Sequence, residues 1–293
     1  MATRSQWIAG TRPRTLPAAI APVLVGTAIA DFAGSARIGI ALCALVVALA
    51  LQIGVNFAND YSDGIRGTDD VRVGPVRLVG QKLATPSAVK RAAFLSFTVA
   101  GIAGLIMAAA SGLWILLPVG LSAMLAAWFY TGGSKPYGYL GLGEVFVFTY
   151  FGLVAVIGTS ASQTGNISVL SVLGGVSCGL LSTAILLANN VRDIPSDIVA
   201  GKKTLAVRLG DAKTRALFVL TVMAGIGISI AMSLIEKGPT LAWVAVSAGF
   251  IAVEPIKVIR SGAQGKALIP VLAGTGKTLF VFSLILSFAI ANS

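Results

Sequence analysis

Aspartate and asparagine side chains are concentrated where one long apolar segment ends, in the sequence NFANDYSD at residues 56–63. Asn56, Asp60 and Asp63 follow an i, i+4, i+7 spacing, which places all three side chains on one face of a helix. Carboxylates held this close repel each other unless a cation lies between them. Mg²⁺ takes one or two carboxylates and completes its coordination with water and phosphate oxygens. The stretch therefore indicates a site for magnesium and a phosphate-bearing ligand.

A second stretch of the same character, NNVRDIPSD, occupies residues 189–197. Its Asn189, Asp193 and Asp197 have an i, i+4, i+8 spacing and again share one helix face. When the sequence is shifted against itself by 134 residues, four pairs of positions coincide: Asn56 with Asn190, Asn59 with Asp193, Asp63 with Asp197 and Gly67 with Gly201. We therefore predict one domain, 1–293, made of two parallel helical half-repeats at about 1–135 and 136–293.

Basic residues adjoin both acidic stretches: Arg66 and Arg72 follow the first, and Arg192, Lys202 and Lys203 lie within or after the second. Arginine, lysine and metal ions together suit a polyanion with several phosphate groups. A simpler interpretation, in which acids at helix ends serve as caps, is kept for the isolated Asp69, Asp70 and Asp211. It is not favoured for the two stretches, because a chain with only 11 acidic residues places two carboxylates in each.

The elements that must position these groups are membrane helices. The chain is 56% hydrophobic and 11% charged, with a mean hydropathy of +0.89, whereas soluble domains carry about 25% charged residues. Apolar segments of spanning length occur at about 17–35, 38–58, 90–110, 113–131, 141–160, 167–190, 214–235, 239–256 and 270–291. The predicted fold class is all-α: a polytopic membrane protein of about nine transmembrane helices around a central intramembrane cavity, with polar loops after helices 2 and 6.

Positive charge predicts the orientation of these helices. With the N-terminus in the cytoplasm, all but two of the 22 Lys and Arg residues lie on the cytoplasmic side, the exceptions being Arg37 and Lys237. Such a bias is typical of membrane proteins. We therefore predict a protein integral to the plasma membrane, with its N-terminus and the polar loops at 59–89 and 191–213 in the cytoplasm. The excess of basic residues then reflects topology and does not indicate a nucleic-acid partner.

The two motifs and their placement resemble the UbiA-type superfamily of intramembrane prenyltransferases, which carries an Asn/Asp-rich motif after the second span and a DxxxD motif after the sixth. Within it, TRPRTLPAAIAPVLVGTA at 11–28 and NDYSDGIRGTDD at 59–70 resemble the branch that prenylates 1,4-dihydroxy-2-naphthoate in menaquinone biosynthesis. The resemblance implies transfer of a polyprenyl group from its diphosphate to that acceptor in the bilayer. It also implies loss of CO₂, a demethylmenaquinone product and two Mg²⁺ ions as cofactors.

Residue types and the resemblance together suggest the site. The predicted Mg²⁺ ligands are Asp60, Asp63, Asp193 and Asp197. The predicted diphosphate-binding residues are Asn56, Asn59, Arg66, Lys135, Asn190, Arg192 and Lys202. Charge suggests Arg12, Arg14 or Lys82 for the acceptor carboxylate, and Tyr130 and Tyr139 are expected to face the allylic cation, which aromatic rings stabilise. The chain has no histidine, so the electron-rich acceptor ring is expected to attack without a histidine base.

Two departures from the family pattern leave roles open. The last gap of the first motif, Asp60-Tyr-Ser-Asp63, has two residues instead of three, so either Asp63 or a later acid such as Asp69 fills the third position. The family element Tyr-x3-Lys is one residue longer here, between Tyr130 and Lys135, which leaves the role of Lys135 open.

Three other functions stay open at this point. One is prenyl transfer to a different aromatic acceptor resembling 4-hydroxybenzoate. Another is secondary transport, since transporters also contain helical repeats and acidic sites. The third is a phosphatase or phosphotransferase acting on a lipid diphosphate.

Overall fold

The structure is a computed structural model that describes residues 2–67 and 76–293. Asp69, Asp70 and Arg72 lie outside the described residues. The α-helices are, in chain order, α1 (Arg4–Gly10), α2 (Pro17–Phe32), α3 (Ile38–Ile65), α4 (Pro86–Ser111), α5 (Leu116–Phe129), α6 (Gly143–Phe148), α7 (Ala155–Thr164), α8 (Val169–Val199), α9 (Leu205–Leu209), α10 (Asp211–Ser233), α11 (Gly249–Arg260) and α12 (Ile269–Ala291). Short 3-10 helices lie at Pro13–Thr15, Tyr137–Leu140, Ala242–Ala248 and Gly265–Leu268, and a π-helical turn, Thr149–Val154, joins α6 to α7.

Seven helical segments in this part of the chain are long and apolar enough to cross a membrane, and the bent pair Arg4–Thr15 and Pro17–Phe32 would make an eighth. The all-α membrane fold is thus confirmed, whereas the count of nine spans is not. The difference lies in α5, which replaces the predicted span 113–131 with an apolar helix of 14 residues. At 1.5 Å per residue it is about 21 Å long, shorter than the hydrocarbon core of about 30 Å.

Helices α3 and α8 continue past the predicted ends of spans two and six. The apolar pattern predicts ends at 58 and 190, but the helices end at Ile65 and Val199, so both acidic stretches are helical and the loops begin later than predicted. With 28 and 31 residues, the helices are about 42 and 46 Å long. Both lengths exceed that of the hydrocarbon core, and the acidic stretches occupy the last turns of both helices.

Helix packing follows the same order in both parts of the chain. Helix α3 packs along α4, and α8 packs along α10, while α2 packs against α12. The shift that superimposes Asn56 on Asn190 also superimposes the last residues of α3 and α8, Ile65 and Val199. The parallel half-repeats remain a prediction with which this packing agrees.

The π-helical turn packs closely against α8 beside the cavity described below. A Cβ on Gly152 would lie 2.4 Å from the Gly175 carbonyl oxygen and 2.4 Å from the Gly179 Cα. We expect Gly152→Ala to destabilise the fold by about 1–3 kcal/mol, because backbone atoms at a tight crossing yield only with strain. Thermal unfolding of the purified protein in detergent measures this effect.

Gly158 provides the matched control for this substitution. It lies in the next helical turns of the same span, yet a Cβ there meets nothing within 4 Å. Gly158→Ala should therefore not lower the melting temperature, and it should raise it slightly because alanine favours a helix more than glycine does. Equal melting temperatures for the two variants would contradict the steric argument.

Candidate active site

The polar ends of α3 and α8 meet at one cavity of about 460 Å³. Asp63 of α3 and Asp197 of α8 both line it, and each side chain is buried. Lys202, which follows α8, places its Nζ 3.7 Å from Asp63 Oδ1. Carboxylates from both acidic stretches therefore share one polar chamber, although the two stretches lie in different halves of the sequence.

Asp63 lies where three loops come together. The Tyr139 hydroxyl donates a hydrogen bond of 2.6 Å to Asp63 Oδ1. Arg77 Nη2 lies 3.9 Å from Asp63 Oδ2, and Lys202 Nζ lies 4.5 Å from the centre of the Tyr139 ring. One carboxylate thus organises two cations and a phenol around the polar end of the cavity, where a phosphate group would meet both cations.

Asp60 points to the backbone of the loop after α3. Its two oxygens accept hydrogen bonds from the N–H groups of Leu78, at 2.6 Å, and Val79, at 3.1 Å. Asp60 is almost fully buried and is not among the described residues that line the cavity. Its contacts hold the segment that delivers Arg77 to Asp63, so in this structure Asp60 positions a cation.

Asp193 is engaged by its neighbour in sequence. Arg192 donates to both Asp193 oxygens, at 2.7 and 2.9 Å, and to Asn189 Oδ1 at 2.6 Å. Neither Arg192 nor Asp193 is among the described residues that line the cavity. Of the four predicted metal ligands, the structure therefore brings Asp63 and Asp197 to the cavity.

The three predicted asparagines line the cavity, and each is oriented by a hydrogen bond. Asn56 donates to the Thr11 carbonyl at 2.9 Å. Asn59 Oδ1 accepts from the Thr131 hydroxyl at 2.8 Å, and Asn190 donates to Glu144 Oε1 at 2.9 Å. Their amides are thus held in fixed orientations in the cavity wall.

The remaining predicted residues divide into two sets. Arg12, Tyr130 and Tyr139 line the cavity. Four side chains are exposed and are not among its lining residues: Arg14, Arg66, Lys82 and Lys135. Arg66 instead donates to the carbonyls of Thr131 and Gly133. Among the three basic residues suggested for the acceptor carboxylate, Arg12 is the one in position.

Several lining residues are not predicted by the sequence. In the sequence, Arg77 is only one positive charge in a polar loop, yet in the structure it is buried and lines the cavity. The hydrogen bonds of Asp60 to the next two residues, Leu78 and Val79, help to position Arg77, and no sequence motif encodes them.

Tyr137 and Phe146 look like packing residues in the sequence, and their rings stack in the cavity wall with centroids 3.9 Å apart. Burial and the neighbouring Tyr130 and Tyr150 raise the pKa of Tyr137, so its protonated hydroxyl donates to the Ala126 carbonyl.

The donor set fits magnesium bound together with a phosphate ligand. Within residues 2–67 and 76–293, no three acidic, cysteine or histidine side chains form a ready-made metal cluster. Asp63 and Asp197 nevertheless offer carboxylates beside amide groups in one cavity. Mg²⁺ characteristically uses one or two carboxylates, water and substrate phosphates in place of an all-protein cage, so these residues are suited to holding it.

Comparison with known proteins agrees with this geometry. Residues 19–268 match the UbiA prenyltransferase family. A 1,4-dihydroxy-2-naphthoate octaprenyltransferase from Mycobacterium tuberculosis (strain ATCC 25618 / H37Rv) is 50% identical over 292 residues, covering 99% of this chain and 98% of that protein. The protein of the same name from Escherichia coli (strain K12) is 35% identical and covers 96% and 95%.

Two solved structures share the fold. A UbiA homolog from Archaeoglobus fulgidus bound to GPP and Mg²⁺ has a TM-score of 0.70 at 13% identity, covering 98% of this chain and 100% of that one. The apo structure of a UbiA homolog from Aeropyrum pernix K1 has a TM-score of 0.71 at 12% identity, covering 92% and 96%. Since the family match spans most of the sequence and the two relatives align over nearly all of it, the chain belongs to the UbiA prenyltransferase family.

Proposed function

We propose that this protein transfers a polyprenyl group from its diphosphate to 1,4-dihydroxy-2-naphthoate with loss of CO₂, giving demethylmenaquinone. The observation that carries the proposal is the cavity itself. Its polar end holds Asp63, Arg77 and Lys202, and the rest of its wall is largely apolar. A prenyl diphosphate has the same division into a charged head and an apolar tail. Near full-length similarity to two enzymes of that name supports this choice of acceptor.

The polar end binds and activates the diphosphate. Lys202 and Arg77 lie beside Asp63, so the diphosphate oxygens gain two cations and the amides of the cavity wall. Mg²⁺, when held by Asp63, Asp197 and the phosphates, supplies positive charge to the departing diphosphate. We assign Asp60 and Asp193 to the support of Arg77 and Arg192. Such preorganised charge is generally the largest contribution to catalysis of this kind.

The bond changes balance within the two substrates. The allylic C–O bond breaks, and its electron pair leaves with the diphosphate. The acceptor ring carbon that bears the carboxylate forms the new C–C bond. The bond from that carbon to the carboxylate then breaks, CO₂ leaves, and the electron pair of the broken bond restores the aromatic ring. Because both ring hydroxyls persist, the product forms as the quinol of demethylmenaquinone.

The cavity wall protects the allylic cation and orients the acceptor. Tyr130 and Tyr139 present aromatic rings to the chamber, and such faces stabilise cations. The guanidinium of Arg12 would hold the acceptor carboxylate until CO₂ leaves. The apolar remainder of the wall, from α3, α4 and α5, excludes water and accommodates the first units of the tail.

The polar ends are proposed to lie at the cytoplasmic face of the plasma membrane. All but two of the basic residues fall on that side in the orientation predicted above. A cytoplasmic site suits a charged donor whose head stays at the interface while its tail remains in the bilayer. Labelling of single cysteines placed at Lys203 and Lys237, with reagents that do not cross the membrane, tests this orientation.

Removal of divalent cations should abolish turnover, and added Mg²⁺ should restore it. The reason is that Asp63 and Asp197 face the diphosphate site, where without a divalent cation they would repel it. The measurement is formation of prenylated product by purified protein treated with EDTA and titrated with MgCl₂. Full activity in excess EDTA would contradict the assigned role of the metal.

The same assay separates the competing functions when the protein is given a labelled prenyl diphosphate and a panel of aromatic acceptors. Prenylated dihydroxynaphthoate supports the proposal. Prenylated 4-hydroxybenzoate in its place would show a different acceptor. Release of lipid phosphate without an acceptor would indicate a phosphatase, and flux across proteoliposomes without chemistry would indicate a transporter.

A further inference from the structure

Ser182 of α8 is a polar residue of the cavity wall that the mechanism above does not use. Its side chain is 3% exposed, it lines the cavity, and its Oγ has no hydrogen-bond partner among the described residues. Helical serines usually bond to a carbonyl of the preceding turn, as Ser196 does with the Asp193 carbonyl in this same helix. Burying a hydroxyl without a hydrogen-bond partner costs free energy. Because Ser182 lines the cavity, we expect a ligand in the cavity to supply the missing partner.

The position of Ser182 narrows the choice of ligand. At a helical rise of about 1.5 Å per residue, Ser182 lies about 10 Å from Asn189 and about 22 Å from Asp197 along α8. A diphosphate bound by Lys202 and, through Mg²⁺, by Asp197 lies beyond Asn190, which is itself about 12 Å from Ser182 along α8, so it does not reach this hydroxyl. The prenyl tail carries no group that forms a hydrogen bond, and the next cavity residues on α8, Ile185 and Leu186, are apolar. The remaining substrate with polar atoms is the aromatic acceptor.

The predicted repeat adds a second argument. The shift that superimposes Asn56 on Asn190 superimposes Ala48 on Ser182, and Ala48 also lines the cavity. Near Ala48, the α3 wall carries Ala44, Val47 and Leu51, which suits a tail. At this pair of positions the α8 wall therefore carries a hydroxyl that the α3 wall lacks. The polar side chain of the α3 wall one turn on, Gln52, donates to the Thr15 hydroxyl.

We propose that the Ser182 hydroxyl is an acceptor-binding residue that forms a hydrogen bond with a ring hydroxyl of the aromatic substrate. The acceptor ring then lies against α8, between Arg12 at its carboxylate and Ser182 at a hydroxyl, while the tail runs along α3. This inference rests on the proposed function and adds to it the residue that selects a hydroxylated ring over an unsubstituted one.

The test is the kinetics of Ser182→Ala in the purified membrane protein. We expect KM for 1,4-dihydroxy-2-naphthoate to rise about 3- to 10-fold, the range of one neutral hydrogen bond, with KM for the prenyl diphosphate unchanged. The two monohydroxy-2-naphthoates, used as competitive inhibitors, identify the contact. The substitution should weaken the one that keeps the contacted hydroxyl and should not affect the one that lacks it.

Ser287→Ala is the matched control. Its hydroxyl is also buried without a partner among the described residues, but Ser287 lies on α12 and is not among the described lining residues. It should leave both KM values unchanged. An unchanged KM for the acceptor in Ser182→Ala would overturn the assignment of Ser182, and so would equal weakening of both inhibitors. In either case, prenylation of dihydroxynaphthoate by the wild-type protein would still uphold the proposed function. Failure of the wild-type protein to prenylate any dihydroxynaphthoate would overturn both.

Discussion

Asp63→Asn should lower kcat/KM for prenyl transfer about 100- to 1000-fold, the loss typical when one preorganised electrostatic group is removed from an active site. Asp63 contacts Lys202, Arg77 and Tyr139. The amide keeps the size of the carboxylate but loses its charge, so it binds Mg²⁺ poorly and no longer balances the two cations. Initial rates of product formation at saturating Mg²⁺ and acceptor, with the prenyl diphosphate concentration varied, measure the change.

Asp211→Asn is the control for this variant. Asp211 likewise pairs with an arginine, here Arg215, through two hydrogen bonds of 2.6 and 2.9 Å. Asp211 begins α10 and is not among the described residues that line the cavity. The Asp211→Asn variant should therefore keep an activity near that of the wild type. Thermal unfolding of both variants separates lost catalysis from lost folding. A folded Asp63→Asn protein with near-normal turnover would contradict the site proposed for the metal and diphosphate.

Lys202→Met should lower kcat/KM for the prenyl diphosphate about 10- to 100-fold, the range of one hydrogen bond to a charged group. Methionine retains most of the apolar stem of lysine and removes the ammonium group. That group is buried against Asp63 and above the Tyr139 ring, where water screens its charge little. Initial rates measured while the donor concentration is varied, at fixed saturating acceptor, give the effect.

The neighbouring Lys203 offers an internal comparison for that substitution. It has the same charge and the adjacent sequence position, but its side chain is exposed. Its contacts with the described residues are made by its backbone: the N–H donates to the Tyr139 carbonyl at 2.9 Å, and the carbonyl accepts from Arg208 Nε at 3.1 Å. Lys203→Met should therefore retain activity. Similar losses of kcat/KM in Lys202→Met and Lys203→Met would show that donor binding depends on the overall positive charge of this loop and does not depend on the buried contact of Lys202.

Fold class and the helix faces that carry the site follow from the amino-acid sequence alone. The pattern of apolar segments predicts membrane helices because each must satisfy its own backbone hydrogen bonds in lipid. The spacing within residues 56–63 and 189–197 predicts shared helix faces because helix periodicity is local. The resemblance to the family depends on these same two stretches. At α5 the predicted span 113–131 contains a helix of only 14 residues, so the count of nine spans is not confirmed there.

Which of the equivalent acids and cations face the cavity depends on tertiary packing. Asp60 and Asp63 lie on the same helix face, yet the backbone N–H groups of Leu78 and Val79 engage Asp60, while Asp63 turns to Lys202. Arg77 and Ser182 reach the cavity through the fold alone, with no motif to mark them. The physical reason is that helix periodicity sets the direction of a side chain, whereas its partners are supplied by segments distant in sequence, whose position depends on packing.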